Sequence, residues 1–471
     1  VSVVTGRRAL VVGLGRSGEA AARALRACGA DVSVVDGADT PAAGERAEQL
    51  LGVSVRLGAD LDDPSALDGV DLVVASPGVP PARGVLCAAV ARDLPVWSEV
   101  ELAWRLASGR TRLVAVTGTN GKTSTTELLA ACLDAPSAGN IGTPLVALLG
   151  GAHPPPLVVV ELSSFQLHFT SDLRPDVAVL LNVAPDHLDW HGDTTAYADA
   201  KARIWANQGR CDLVVVDGHD PGAQAVVART PPPGRVVRVG SPPVTTPLEA
   251  GAVGVADGAL SVGGAAGSRA IVALADLHLG GPHQLANACA AVTAALAAGA
   301  SVDACATALR AFRPGPHRLE HVADIGGVAY VNDSKATNPH AAAAALAAHT
   351  DVVLIAGGLA KGLDLSVLAP ALRDRARAVV TIGTSGPLLA ELARDLGLPV
   401  EQAGTLERAV PAAARLARPG WTVLLAPACA SMDQFADYAA RGQVFRDAVA
   451  ALVADARPSP PPRPAGAPHD R

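Results

Sequence analysis

The sequence predicts an α/β protein with three parallel-sheet units in series. Three observations carry this. Short apolar runs rich in Val, Leu and Ala recur along the chain, separated by Ala-rich helical stretches. The runs end in glycine or polar clusters, as strands do where ligand groups gather beyond the carboxyl ends of a parallel sheet. The chain has 471 residues, which favours two to four domains over one core.

The elements follow in order. ALVVGLG (9–15) reads as a buried strand and turn, GEAAARALRACG (18–29) as a helix with a glycine stop, and DVSVVD (31–36) as a second strand. DLVVASPGV (71–79) is another strand ending in a turn. A second unit opens at RLVAVTG (112–118) and continues through LVVVELSS (157–164) and DVAVLLNV (176–183). From about 230 to 280 the chain is rich in Pro, Gly and Val pairs, which predicts loops and short strands. FRPGPHR (312–318) reads as a linker. Beyond it, AYVND, DVVLIAGG, AVVTIG and TVLLAPA give strand ends of a third unit. The tail RPSPPPRPAGAPHDR (457–471) is Pro-rich and reads as disordered.

Composition narrows the function. Aromatic residues make up only 3%, so the cores must be built from Ala, Val and Leu. A net charge of -7 and a pI near 5.9 argue against a dominant nucleic-acid or anionic-membrane surface. The seven cysteines are scattered, with no CxxC pair, which fits a reduced, cytoplasmic protein. No stretch of about 20 strongly apolar residues suggests a membrane span.

Two glycine-rich loops stand out. In TGTNGKT (117–123), Gly118 and Gly121 let backbone approach phosphate oxygens. Thr119, Asn120 and Ser124 flank them at the start of a helix. Lys122 reaches terminal phosphates, and the Thr123 hydroxyl suits a magnesium ion. The full phosphate-loop spacing would need glycine at 116, where this chain has Val116. The earlier loop, Gly13-x-Gly15-x-x-Gly18, holds Arg16 and Ser17. Asp36 ends the next strand, at the spacing of a ribose-binding acid. This motif alone fits a dinucleotide and another nucleotide equally.

Further groups sit at strand ends. Glu161 follows an apolar run and suits magnesium opposite the phosphates. Asn182, Asp186, His187, Asp189 and His191 crowd one turn. Tyr197 and Lys201 share a helix, as do His283 and Asn287. NDSKATN (332–338), GGLAKG (357–362) and PACASMDQF (427–435) each end a strand. They bring Lys335, Lys361 and Ser431, which suit carboxylates or phosphates.

With these residues in view, the chain resembles the Mur ligases, the ATP-dependent amino-acid-adding enzymes of peptidoglycan synthesis. TGTNGKT, ELSSFQL, NVAPDHLD and the Tyr197/Lys201 helix carry the shared part. NDSKATN with PACASMDQF resembles the branch that adds D-glutamate. The resemblance implies three domains: a Rossmann-like UDP-substrate domain (1–101), a P-loop-type ATP-binding domain (102–314) and a Rossmann-like amino-acid domain (315–456) that closes over the site. It implies ATP contacts at Gly118, Thr119, Asn120, Gly121, Lys122, Thr123, Ser124, Asn287, Arg318 and Asp333. Two magnesium ions would use Thr123, Glu161, His187 and a carbamylated Lys201, with Lys122, His187 and Lys201 catalytic. UDP-N-acetylmuramoyl-L-alanine would meet Gly15, Arg16, Ser17, Asp36, Ser76, Pro77, Gly78, Asn140, Ser163 and His187. D-Glutamate would meet Lys335, Thr337, Lys361, Ser431 and Tyr438. The implied enzyme is a cytoplasmic monomer without nucleic-acid or membrane partners.

The chain departs from the pattern in places. Gly37 and Ala38 stand where relatives have larger polar side chains near the uracil, and Ala360 stands where an acid is common. A nicotinamide oxidoreductase would use the first glycine loop but leave Lys122, Thr123 and Glu161 without a task. A non-catalytic nucleotide-binding partner would bind ATP without turnover. Folylpolyglutamate synthases share the ATP core but should lack the N-terminal unit.

Overall fold

The structure, a computed structural model, describes residues 3–107, 109–151, 153–240, 248–265 and 267–455. The tail expectation at 457–471, and residues 241–247 of the loop-rich stretch, lie outside the described residues. The chain divides into two compact units, Val1–Arg313 and Pro314–Arg471, split within the expected linker.

The described residues of the first unit form three sheets. The strands β1 (Arg8–Val12), β2 (Asp31–Val35), β3 (Ser54–Arg56), β4 (Leu72–Ala75) and β5 (Val96–Ser98) form a parallel sheet in the order β3-β2-β1-β4-β5. The order reverses at β1, which leaves a crevice beyond the ends of β1 and β4. The strands β6 (Arg112–Thr117), β7 (Ser137–Gly139), β8 (Leu157–Glu161), β9 (Val177–Leu180), β10 (Leu213–Asp217) and β11 (Arg235–Val239) form a second parallel sheet, β11-β10-β9-β6-β8-β7. β6, β8 and β9 are buried along nearly their whole length, the pattern of strands covered on both faces. The loop-rich stretch contributes β12 (Val253–Ala256), β13 (Ala259–Gly264) and β14 (Gly267–Ala273), an antiparallel meander.

In the second unit, β15 (Glu320–Ile325), β16 (Val328–Asn332), β17 (Val352–Gly357), β18 (Ala376–Ile382), β19 (Val400–Gly404) and β20 (Thr422–Leu425) form one sheet, β15-β16-β20-β17-β18-β19. β15 is antiparallel to β16, and the other pairs are parallel. Among the described residues no helix is long and apolar enough to cross a membrane.

The helix Glu99–Ala107 spans the expected domain boundary at 101/102, so a cut there would divide a helix. Its first turn carries two buried acids. Glu101 accepts N–H groups from Ser171, Asp172 and Leu173, and the Nε–H of Arg105 at 2.7 Å. Those bonds to an ionised acceptor pin the helix to the segment after ELSSFQLH. Glu99 accepts the N–H of Val146 at 2.6 Å. Burial raises its pKa from 4.5 to about 7, against the opposing hydrogen bonds of Val146, Gln166 and Leu145.

The folded Glu99 therefore keeps a proton that the unfolded chain has lost between pH 4.5 and about 7. Stability falls as pH rises through that interval. Glu99→Gln, which mimics the protonated form, should equal the native chain near pH 4 and exceed it at pH 8, by on the order of 3 kcal/mol. Urea midpoints at both pH values read this directly; equal midpoints at pH 8 would contradict it.

Candidate active site

The site in the first unit begins where β6 ends. Gly118 and Gly121 turn the chain into the helix Lys122–Leu133, whose N-terminus has no side-chain cap. A helix start of this kind suits an anion. Gly121 has φ +84°, and a Cβ there would stand 2.6 Å from the Asn287 amide. Only glycine accommodates both the left-handed backbone and that approach. Asn287 lies on the helix Pro282–Ala298, which has His283 in its first turn. The loop is thus framed by the helix predicted to carry a nucleotide contact.

The loop is braced from the end of β9. Asn182 accepts the N–H of Asn120 at 2.8 Å through its side chain and returns a bond to the Asn120 carbonyl at 3.1 Å. Its own carbonyl accepts the Thr119 N–H. The Thr119 hydroxyl takes the Ala184 N–H and pairs with the Tyr197 hydroxyl at 3.0 Å. Asn182 and Tyr197 therefore shape the loop.

Two lysines converge on one oxygen. Lys122 Nζ donates to the carbonyls of Gly118 and Thr119 at 3.0 and 2.9 Å. Lys201 Nζ donates to the same Gly118 carbonyl at 2.8 Å. Lys201 is 1% exposed and lies 4.5 Å from the centroid of the Tyr197 ring. Burial first, and then the Lys122 charge, hold its pKa well below the usual lysine value, against Asp186 and Glu161. It is a buried amine biased toward the neutral form.

Glu161 ends β8 and is 1% exposed. One carboxylate oxygen accepts the Asn140 amide at 2.7 Å. The other is buried with no hydrogen-bond partner among the described residues. An unsatisfied carboxylate oxygen near the phosphate loop fits a divalent cation. Among the described residues no group of three His, Cys, Asp or Glu side chains could hold a metal alone. That donor set suits magnesium, which keeps waters and phosphate oxygens in its shell, better than a metal caged by protein. Thr123, in the first turn of the loop helix, adds a hydroxyl.

His187 sits in the left-handed region, φ 53°, at the start of the short helix Leu188–His191. Its ring lies edge-on to Phe165 at 4.7 Å. Phe165 also contacts Trp190 at 4.6 Å. His191 turns into this aromatic cluster, with Nε2 2.9 Å from the Ser164 hydroxyl. Burial, followed by His168, Lys201 and His187, lowers its pKa to about 4. It is a neutral packing residue, whereas the sequence groups it with the active-site turn. Ser163 caps the helix Ser164–His168 in a reciprocal box with Gln166.

The first glycine loop is equally tight. A Cβ on Gly18 would stand 1.9 Å from the Gly13 carbonyl. Ser76, at the end of β4, donates to that carbonyl at 2.7 Å. Gly15 caps the helix Arg16–Ala27 without a side-chain cap bond, and Arg16 is exposed beside it. Ser17 follows in the first turn, and Pro77 and Gly78 continue the turn after β4. Both Asp36 oxygens already accept backbone N–H groups, from Leu14 and from Ala38. Asp36 thus ties the two loops together as well as marking the end of β2.

In the second unit, the loops after β16, β20 and β17 end neighbouring strands. Lys335 Nζ lies 3.8 Å from the centroid of the Tyr438 ring. Thr337 is tied back to the Lys335 carbonyl by its N–H. Ser431 is buried, and Lys361 is exposed at φ 51°. Asp333 accepts the Leu319 N–H at 3.2 Å, and burial raises its pKa to about 7. Arg318 is flanked by His317 and Leu319, both at positive φ.

Arg441 was not legible in the sequence. It is 1% exposed and donates to the Ser334 hydroxyl and carbonyl and to the Cys429 carbonyl. It clamps NDSKATN to PACASMDQF. Desolvation lowers its pKa to about 10. Its only sequence signal is an arginine on an Ala-rich helix, which ordinarily means a solvated charge.

Comparison with known proteins matches this chain to three domain families: a Mur ligase MurD-like N-terminal domain at residues 7–98, a Mur ligase middle domain at 116–295, and a Mur ligase glutamate ligase domain at 317–429. A UDP-N-acetylmuramoylalanine–D-glutamate ligase of Frankia casuarinae is 50% identical over 451 residues, 94% of this chain and 93% of its own. The protein of that name from Thermobifida fusca is 44% identical over 95% of this chain and 99% of its own. Among solved structures, a pseudomurein peptide ligase type C from Methanothermus fervidus aligns with TM-score 0.57 at 18% identity, over 95% of this chain and 100% of its own. MurF ligase of Thermotoga maritima in complex with ADP aligns with TM-score 0.54 at 17% identity, over 96% of this chain and 100% of its own. At those identities the structures speak to fold alone.

Proposed function

The chain belongs to the Mur ligase family, and from that premise we propose that it joins D-glutamate to UDP-N-acetylmuramoyl-L-alanine, coupled to cleavage of ATP to ADP and phosphate. The observation that carries the ATP-dependent step is the junction at Gly118, where an uncapped helix N-terminus, Lys122 and the buried Lys201 amine meet. An unactivated carboxylate is a poor acylating agent. The substrate carboxylate attacks the γ-phosphorus of ATP, ADP leaves, and an acyl phosphate forms. The D-glutamate amine then adds to the acyl carbon, the tetrahedral adduct loses phosphate, and the amine gives up a proton.

Each residue has a task in this scheme. Gly118, Thr119, Asn120, Gly121 and Ser124 present loop and helix-end backbone to ATP phosphates, with Asn287 beside them. Lys122 leaves its loop carbonyls to balance charge on the phosphoryl group in transfer. Arg318 and Asp333 complete the nucleotide contacts. Thr123, Glu161 and His187 would hold magnesium, together with Lys201 as a carbamate. When bound, the metal neutralises phosphate charge and orients the reacting oxygens. The low pKa of Lys201 supports the carbamate, because only a neutral amine adds to carbon dioxide, losing one proton as it does so. Conversion to an anion also removes a buried like charge beside Lys122.

We assign the β1–β5 sheet, as far as the helix Glu99–Ala107, to the UDP-substrate domain, the β6–β14 part to the ATP domain and the unit that starts at Pro314 to the amino-acid domain. Gly15, Arg16, Ser17, Asp36, Ser76, Pro77 and Gly78 face the nucleotide end of the substrate, and Asn140, Ser163 and His187 the muramoyl end. Lys335, Thr337, Lys361, Ser431 and Tyr438 hold D-glutamate, whose two carboxylates suit the lysines. The reading carries a cytoplasmic, monomeric enzyme, in keeping with seven free cysteines.

Phosphate release should require ATP, the UDP-muramoyl-alanine substrate and D-glutamate together, with L-glutamate supporting little. Equal rates with both enantiomers, or none with either, would refute the assignment. Lys201→Ala should reduce kcat by about a hundredfold or more, with partial recovery on adding formate or acetate. Native turnover by the variant would remove the carbamate from the scheme.

A further inference from the structure

The residues assigned to D-glutamate stand on three loops and one helix start. These segments meet at a side chain that has no task in the scheme above. We infer that Arg441 is the positioning residue of the amino-acid pocket: its guanidinium holds the three loops in the arrangement that discriminates D-glutamate from other amino acids, without touching the substrate. This rests on the proposed function and deepens it, from which residues hold D-glutamate to what holds those residues.

Arg441 lies on the helix Tyr438–Asp455, three positions after Tyr438 and on the same face. It grips the first loop at Ser334. Nε donates to the Ser334 hydroxyl at 3.0 Å, and Nη2 donates to the Ser334 carbonyl at 2.9 Å. The same hydroxyl donates to the Tyr438 carbonyl at 2.8 Å. The Ser334 carbonyl belongs to the peptide that enters Lys335, and the N–H of that peptide donates to the His317 carbonyl at 3.2 Å. The peptide is therefore held from both sides. From it, Lys335 Nζ extends over the Tyr438 ring, and the Lys335 carbonyl accepts the Thr337 N–H at 2.8 Å.

The guanidinium reaches the second loop through Nη1, which donates to the Cys429 carbonyl at 3.1 Å. The next residue, Ala430, exchanges two backbone bonds with Leu359, at 3.0 and 2.9 Å. That bridge fastens the loop of Ser431 to the loop of Lys361. Gly358 makes room for it. Its φ is +133°, and a Cβ there would run into the Ala430 carbonyl and stand 3.3 Å from Arg441 Nη1. Arg441 thus bonds two of the loops directly, and the third is fastened to the second beside it.

The chemistry of the side chain suits this task better than simple packing. Apolar side chains would fill the space at lower cost, but they would leave the direction of the Ser334 and Cys429 carbonyls open. A planar fork takes the hydroxyl and the carbonyl of one residue together and still reaches a second segment. A lysine ammonium at this position has no such fork. Glutamate carries two carboxylates at a spacing and handedness set by its chain. Cations tell that spacing from others only when the segments that carry them are held still.

Steady-state kinetics of the full chain, with each substrate varied in turn, tests this. Arg441→Lys should raise KM for D-glutamate by about tenfold or more and narrow the preference for D-glutamate over D-aspartate. KM for ATP and for the UDP-linked substrate should stay within about twofold, the range that a tenth of that effect leaves. Ser334→Ala removes one acceptor and keeps Arg441 in place. It should show the same split on a smaller scale, and it decides the matter if Arg441→Lys fails to fold. Equal KM rises for all three substrates, a fall in kcat alone, or a D-glutamate KM unchanged in both variants would overturn the role. Any of these with native turnover intact would leave the proposed reaction standing. No D-glutamate-dependent turnover by the native chain would refute the reaction itself, and this role with it.

Discussion

The arrangement of the first unit depends on the Gly118 carbonyl, which accepts hydrogen bonds from two lysines at once. One lysine, Lys122, starts a helix and is partly buried, so its charge can turn toward a phosphate. The other, Lys201, is buried against Tyr197, and its burial lowers its pKa. Two ammonium groups on one oxygen in a water-poor site are mutually unfavourable. Burial first, and then this repulsion, biases the amine toward its neutral form. The surrounding braces, Asn182 on the loop backbone and Tyr197 on Thr119, hold the loop that carries this carbonyl.

Much of this was legible in the chain because phosphate loops are written in backbone terms. TGTNGKT after an apolar run fixes a strand, a turn and a helix N-terminus, and the structure has each of them. The three strand-end motifs of the second unit were legible for the same reason, and β16, β20 and β17 do lie side by side. What sequence could not reveal depends on burial and on contacts distant along the chain. His191 looks identical in type to His187, and both rings contact Phe165, but one turn of helix sets His191 against Trp190 and the Ser164 hydroxyl. Asp36 reads as a ribose ligand by spacing, but the bonds from Leu14 and Ala38 make it also a brace. The helix Glu99–Ala107 runs across the expected 101/102 boundary and buries two acids, Glu99 and Glu101. Their burial comes from Val146 and the 171–173 segment, more than forty positions away.

Arg441 shows the same limit in the second unit. A guanidinium with neutral acceptors on three sides is costly to bury, and it holds together the two loops assigned to D-glutamate. Each unit thus buries one basic side chain: Lys201, whose pKa is lowered by burial and by Lys122, in the first, and Arg441, held by backbone and hydroxyl oxygens, in the second.

The central claim is that the phosphate loop activates the substrate's own carboxylate. Labelling both carboxylate oxygens of the UDP-muramoyl-alanine substrate with oxygen-18 tests this in one turnover. If an acyl phosphate forms, the released phosphate carries one labelled oxygen and the new amide carbonyl keeps the other. Unlabelled phosphate, with ADP and ligated product formed, would show that the carboxylate never took the phosphoryl group and would contradict the account.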